Sequence, residues 1–80
     1  MTSNTILICG GAGYIGSALT SRILRETNYK VIVFDQLLYG GDSIYPFFNY
    51  LDRFKFIQGD LRTFDLDGLL NNVDYVVNLA

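Results

Sequence analysis

Three glycines at intervals of three, Gly10, Gly13 and Gly16, separate a run of aliphatic residues from a stretch of helical periodicity, and no other feature narrows the choice of folds as far. Ahead of them, Thr5-Ile6-Leu7-Ile8-Cys9 shows no alternation of apolar and polar residues, the pattern of a strand covered on both faces. The run stops at Gly10-Gly11-Ala12-Gly13, which reads as a tight turn. From Ile15 onward, Ile15, Ala18, Leu19 and Ile23 follow helical spacing to about Thr27, with Arg22 and Arg25 near the end where positive charge complements the helix dipole. Asn28 suits a stop, and Lys30-Val31-Ile32-Val33-Phe34-Asp35 is a second buried strand that ends in an acid. Strand, glycine turn, helix and strand make one βαβ unit.

The rest of the chain continues the alternation. The loop from Gln36 to Asp42 ends in Gly40-Gly41, and Ser43 is placed to cap a short helix with Ile44, Phe47, Phe48 and Leu51 on one face and Pro46 in its first turn. Phe54 to Gln58 forms a third strand, Gly59-Asp60 a turn, Thr63 the cap of a brief helix carrying Leu66, Leu69 and Leu70, and Val73 to Leu79 a fourth strand. Gly68 weakens that last helix. Continuous rather than alternating apolar strands predict an α/β fold with a parallel sheet and right-handed crossovers. The expected architecture is the first half of a Rossmann-type doubly wound sheet, strand order 3-2-1-4, with a ligand crevice at the strand C-termini where the order reverses. On this reading residues 1–80 are the N-terminal part of one dinucleotide-binding domain, the substrate domain is absent from the chain, and the sheet edge beside the fourth strand is open.

Composition excludes several alternatives. A single cysteine, Cys9, cannot form an internal disulfide, and without histidine the usual Cys and His zinc sets cannot be assembled, so no metal is expected. A net charge of −2, with Lys30 and Lys55 as the lysines, argues against a nucleic-acid partner. No apolar run approaches the roughly 20 residues of a membrane span, and Met1-Thr2-Ser3-Asn4 lacks the basic region of a signal peptide. The expected setting is soluble, reducing and cytoplasmic, with no membrane partner. No Gly-x-x-x-x-Gly-Lys-[Ser/Thr] run occurs. Cys9, at the end of an apolar strand with no histidine to act as its base, reads as a small core residue. The aromatic set Phe47, Phe48, Tyr50, Phe54 and Phe56 reads as packing rather than base stacking, and Asp65, Asp67 and Asp74 as solvated charges.

The glycine junction carries chemistry of its own. The first glycine turns the chain, the next lets backbone approach a pyrophosphate, and the last lets helix pack against strand, while the helix N-terminus offers unpaired N–H groups to phosphate. Spacing alone fits a plain tight turn as well. Asp35 adds to it, because it follows Gly16 by about twenty residues and ends the second strand, where an adenosine ribose would lie and a carboxylate accepts from both hydroxyls. A 2′-phosphate there is repelled, and no arginine follows in the loop to Asp42. Asp35 alone also reads as a solvated strand-end acid, and Asp60, on the same rim, as an ordinary turn aspartate.

Four segments, Ile8-Cys9-Gly10-Gly11-Ala12-Gly13-Tyr14-Ile15-Gly16-Ser17, Val33-Phe34-Asp35-Gln36-Leu37, Gly59-Asp60-Leu61-Arg62 and Asp74-Tyr75-Val76-Val77-Asn78-Leu79-Ala80, resemble the extended short-chain dehydrogenase/reductase family. The nearest likeness is to its nucleotide-sugar epimerases and dehydratases. The resemblance implies NAD as cofactor. It puts Gly10, Gly13 and Gly16 at the pyrophosphate with the backbone of Tyr14 and Ile15, Asp35 at the ribose with Gln36 beside it, Asp60 and Leu61 at the adenine, and Leu79 and Ala80 along the cofactor toward its nicotinamide half. It further implies transient oxidation of a nucleotide-sugar substrate bound through a part beyond this chain, and homodimeric full-length relatives. Cys9, Gln36 and Asn78 depart from the threonine, asparagine and histidine common in the family. The family's acid/base pair, tyrosine with lysine four residues on, occurs nowhere, so no catalytic residue is assigned and the chain alone is expected to be inactive. A dinucleotide-binding module without catalysis is the alternative.

Overall fold

A strand without a polar face needs cover on both sides, and β1 (Thr5–Cys9) has it. In the computed structural model, which describes residues 4–37 and 40–80, β1 lies inside a four-stranded parallel sheet of order β3-β2-β1-β4. The other strands are β2 (Lys30–Asp35), β3 (Phe54–Gln58) and β4 (Tyr75–Asn78). Leu7 pairs with Ile32 on one side and Val76 on the other. Order and direction are those expected from the unbroken apolar strands.

The two faces of β1 feed two cores. Ile6 and Ile8 join Val31, Val33, Leu24, Ile44, Phe47 and Phe54 on the face covered by helix α1 (Tyr14–Glu26) and a 3-10 helix (Asp42–Arg53). Leu7 and Cys9 join Phe34 on the opposite face, packed by Leu61, Phe64, Leu69 and Val73 from the segment containing α2 (Leu66–Leu70). Burial pushes the Cys9 thiol up, as suits a core residue. The crossovers thus change faces after β3, where the winding reverses from outward to back past β1.

Several local expectations are corrected. On α1 the buried ridge is Gly16, Thr20 and Leu24, whereas Ile15 is 68% exposed and Ala18 faces solvent. The cause is Gly16, which sits so close to the glycine turn that a Cβ would lie 2.5 Å from the Gly10 carbonyl oxygen and 2.6 Å from the Gly11 Cα. That contact, with the turn rather than with a strand, rolls the helix. It also presses Thr20 into the core, where its hydroxyl donates to the Gly16 carbonyl at 2.8 Å.

The segment after β2 is a 3-10 helix, not a helix capped by Ser43. Its three-residue turn aligns Ile44, Phe47, Tyr50 and Arg53 on the sheet side, so Phe48, expected inside, is 48% exposed. Pro46 lies within the helix, past its first turn. The Ser43 hydroxyl instead donates to the Ala12 carbonyl at 2.6 Å.

Thr63 caps nothing. Its N–H and hydroxyl both donate to the Asp60 carbonyl, and Asp65 precedes α2. Strand β4 is shorter than expected because Asp74 is held by Thr5, whose N–H donates to its carboxylate at 2.7 Å and whose carbonyl accepts its N–H at 2.9 Å. Val73 turns into the second core instead. As the sheet's outer strand, β4 leaves Tyr75 and Val76 half exposed.

Of the loop expected over 36–42, residues 38 and 39 lie outside the described residues, as do Met1-Thr2-Ser3 and the side chains of Leu51 and Leu66. At the opposite edge of the sheet, the Arg53 guanidinium donates to the carbonyls of Leu24, Thr27 and Tyr29 and lies over the Tyr50 ring, tying the 3-10 helix to the end of α1. Among the described residues no helix is long and apolar enough to cross a membrane, and no cluster of acids and Cys could hold a metal.

Candidate functional site

The reversal of winding opens a cavity of about 730 Å³ at the C-terminal ends of the strands, within the roughly 300–1,000 Å³ of small-molecule sites. Of the residues singled out from sequence, Gly10, Gly13, Asp35, Gln36, Asp60, Leu61, Leu79 and Ala80 line it. Tyr14, Ile15 and Gly16 do not. Gly16 is buried behind the turn, while Tyr14 is 92% exposed at the start of α1.

The three glycines serve different ends. Gly10 has φ +80°, and a Cβ on it would stand 2.9 Å from the Ala80 nitrogen, so the turn and the end of β4 touch backbone to backbone there. Gly16 is fixed by packing, as described. Gly13 has φ −74°, open to any residue, and a Cβ on it would meet only the Gly10 carbonyl oxygen at an ordinary 3.4 Å. Nothing in the fold requires glycine at position 13. A side chain there would enter space next to the N-terminus of α1, where, among the described residues, the N–H groups of Tyr14, Ile15 and Gly16 have no acceptor. Unpaired donors at the positive end of a helix dipole suit an anion.

Opposite the turn, the Asp35 carboxylate is anchored through both oxygens. The Ala12 N–H donates to Oδ2 at 3.0 Å and the Leu37 N–H to Oδ1 at 2.7 Å. Two N–H bonds leave about half of a carboxylate's acceptor sites open to a donor, and Asp35 lines the cavity. Leu37, whose N–H makes one of these bonds, holds a left-handed φ of 59°. Gln36 is exposed at the rim, its carbonyl accepting from the Gln58 side chain at 3.3 Å.

Asp60 is committed locally. The Arg62 N–H reaches its Oδ1 at 2.9 Å and the guanidinium Nη2 its Oδ2 at 2.7 Å. Arg62 thereby holds the Asp60 carboxyl below the usual carboxylate range.

Ala12, Asp42, Ser43 and Arg62 also line the cavity, and the sequence did not single them out for it. Asp42 and Ser43 open the crossover that leaves the C-terminal end of β2, so right-handed winding already puts them at the rim. Arg62 follows Asp60 by two residues inside one turn, a spacing at which side chain and backbone close on the same carboxylate. The result is a cavity that brings together a glycine turn leading into the unpaired N–H groups of α1, an anchored acid and an ion pair.

Comparison with known proteins gives a consistent picture. The model of the NAD dependent epimerase/dehydratase family matches residues 6–80. A putative UDP-glucose 4-epimerase of Methanocaldococcus jannaschii is 36% identical over 77 residues, covering 94% of this chain and 23% of the relative. A trifunctional UDP-glucose 4,6-dehydratase, 3,5-epimerase and reductase of Arabidopsis thaliana is 37% identical over 81 residues, 94% of this chain and 12% of its own length. Among solved structures, UDP-glucuronic acid 4-epimerase from Bacillus cereus in complex with NAD superimposes with a TM-score of 0.85 at 33% identity, covering 95% of this chain and 27% of that one. The chain therefore spans about a quarter or less of the proteins it matches.

Proposed function

Because the chain belongs to the NAD dependent epimerase/dehydratase family, we propose that it is the NAD-binding portion of an enzyme that epimerises or dehydrates a nucleotide-activated sugar. The observation that carries the reading is Gly13: the fold has room for a side chain there and no strained backbone, so a glycine at this place supports a ligand passing against the turn. The donor set fits a dinucleotide. The N–H groups at the start of α1, including those of Tyr14 and Ile15, would hold the pyrophosphate, with Gly10 and Gly16 giving the turn its shape. Asp35 would accept from the adenosine ribose hydroxyls, with Gln36 beside it, while Asp60 and Leu61 would meet the adenine. Leu79 and Ala80, at the end of β4, would run along the cofactor toward its nicotinamide half.

NAD, when bound, supplies a hydride acceptor for transient oxidation of a sugar carbon. The residues of this chain bind and orient it. Neighbours in complex with NAD, and one seen with both UDP-glucuronic acid and NAD, support cofactor and substrate class alike. The sugar-binding and proton-transferring groups belong to parts of the enzyme beyond these residues, and homodimeric assembly in a cytoplasmic setting goes with that reading. Calorimetric titration of the chain with NAD tests it. Saturable binding that weakens on Asp35→Ala is expected, and no binding by a folded chain would overturn it.

A further inference from the structure

A cavity lined by Asp35, Asp42, Asp60 and a single guanidinium, that of Arg62, treats ligands of different charge unequally. Among the described lining residues Arg62 is the one cation, and it is already engaged. Its Nη2 lies 2.7 Å from the Asp60 Oδ2, its Nε 3.1 Å from both carboxylate oxygens, and its own N–H 2.9 Å from Oδ1. Packing does not hold it: the side chain is 83% exposed, so the ion pair alone fixes its direction. Among the described residues no cation pairs with Asp35, whose oxygens take the N–H groups of Ala12 and Leu37.

The two acids are neighbours through the sheet. Gln58 pairs with Asp35 in the β2–β3 ladder, and the Gly59 N–H donates to the Asp35 carbonyl at 3.1 Å, so Asp60 and Arg62 occupy the turn immediately beyond the strand end that carries Asp35. The arginine absent from the loop after Asp35 thus arrives from the adjacent strand.

Resting on the dinucleotide reading of this cavity, we infer that the Asp60–Arg62 pair is a latch that excludes 2′-phosphorylated dinucleotides. Exclusion has two parts. Asp35 repels a 2′-phosphate by charge, and Asp60 withholds the guanidinium whose planar fork matches a phosphate. Removing either acid alone leaves the other part in force. Removing both turns Arg62 into a phosphate ligand.

The experiment is a mutant cycle read as the ratio of dissociation constants for NADP and NAD, measured by calorimetry on the chain and on Asp35→Asn, Asp60→Asn, the double variant, and each of these with Arg62→Gln. The double variant is expected to shift the ratio toward NADP about tenfold beyond the product of the two single effects, the scale of one charge-assisted hydrogen bond. Arg62→Gln is expected to abolish that excess. Additive single effects, or an excess that survives Arg62→Gln, would overturn the latch while leaving the NAD site standing. An unmutated chain that is folded and binds neither dinucleotide would overturn the site itself. Asp60→Ser replaces Asp60→Asn if the amide prevents folding.

Discussion

Gly13→Val separates the demands of the ligand from those of the fold. The backbone at Gly13 is extended, with φ −74° and ψ 179°, and a Cβ added to it would make one ordinary contact. Valine is a poorer N-cap than glycine, by about 1 kcal/mol, and restricting the unfolded chain returns roughly 0.4–1 kcal/mol. The net cost to folding is therefore near zero to about 0.6 kcal/mol, a Tm shift of no more than about 2–5 °C for a domain of this size. The cost to binding is larger, because the side chain stands between the cavity and the donors at the start of α1. Losing two charge-assisted hydrogen bonds there removes about 3 kcal/mol or more, over a hundredfold in affinity. Gly16→Ala is the control with the opposite signature: its Cβ would lie 2.5 Å from a backbone oxygen, so the fold itself must give way. Thermal melts by circular dichroism and calorimetric titration with NAD read the two quantities separately. If Gly13→Val melted as early as Gly16→Ala, or bound NAD like the parent, the argument from the open Cβ position would fail.

Asp35→Ala is expected to weaken NAD by about 1.5–3 kcal/mol, and hydrogen exchange at Ala12 and Leu37 should quicken because both N–H groups lose their acceptor. Arg53→Ala should lower stability by about 2–3 kcal/mol in denaturant melts by orphaning three carbonyls, with NAD affinity of the folded fraction unchanged, and Arg53→Lys should recover only part. The carboxyl of Asp60 titrates lower in the folded chain than in the unfolded one. Its contribution is therefore complete above the ordinary aspartate range and lost as pH falls through the folded value; Tm followed downward from pH 6 should drop less steeply in Asp60→Asn, and equal slopes would refute the coupling.

β1 and β2 could be bounded from sequence because an unbroken apolar run ends in a glycine or an acid, and their lack of alternation dictated cover on both faces, whereas Lys55 interrupts β3 and stays exposed. The face of α1 was misread because Gly16, its closest contact, has no side chain for a hydropathy pattern to register. Ile44 and Phe47 satisfy periods of 3 and 3.6 equally, and only Phe48 against Tyr50 distinguishes the 3-10 helix from an α-helix. Of the cavity's lining, Gly10 and Gly13 stood out by their short spacing and Asp35 as the acid that closes an apolar run. The contacts of Ser43, and of Arg53 away from the cavity, did not, since their partners are backbone carbonyls 24 to 31 residues away, and any residue type supplies a carbonyl.

The unequal demands on the three glycines have an evolutionary reading. Gly10 and Gly16 are held by the chain's own backbone and would persist in any descendant that keeps the fold. On the proposed reading, Gly13 answers chiefly to the ligand. In a lineage that abandoned dinucleotides, selection at position 13 would relax first, and larger residues would accumulate there while its two companions stayed fixed. If the proposed reading holds, variation at this one position, compared between related sequences, would record which members still carry a cofactor.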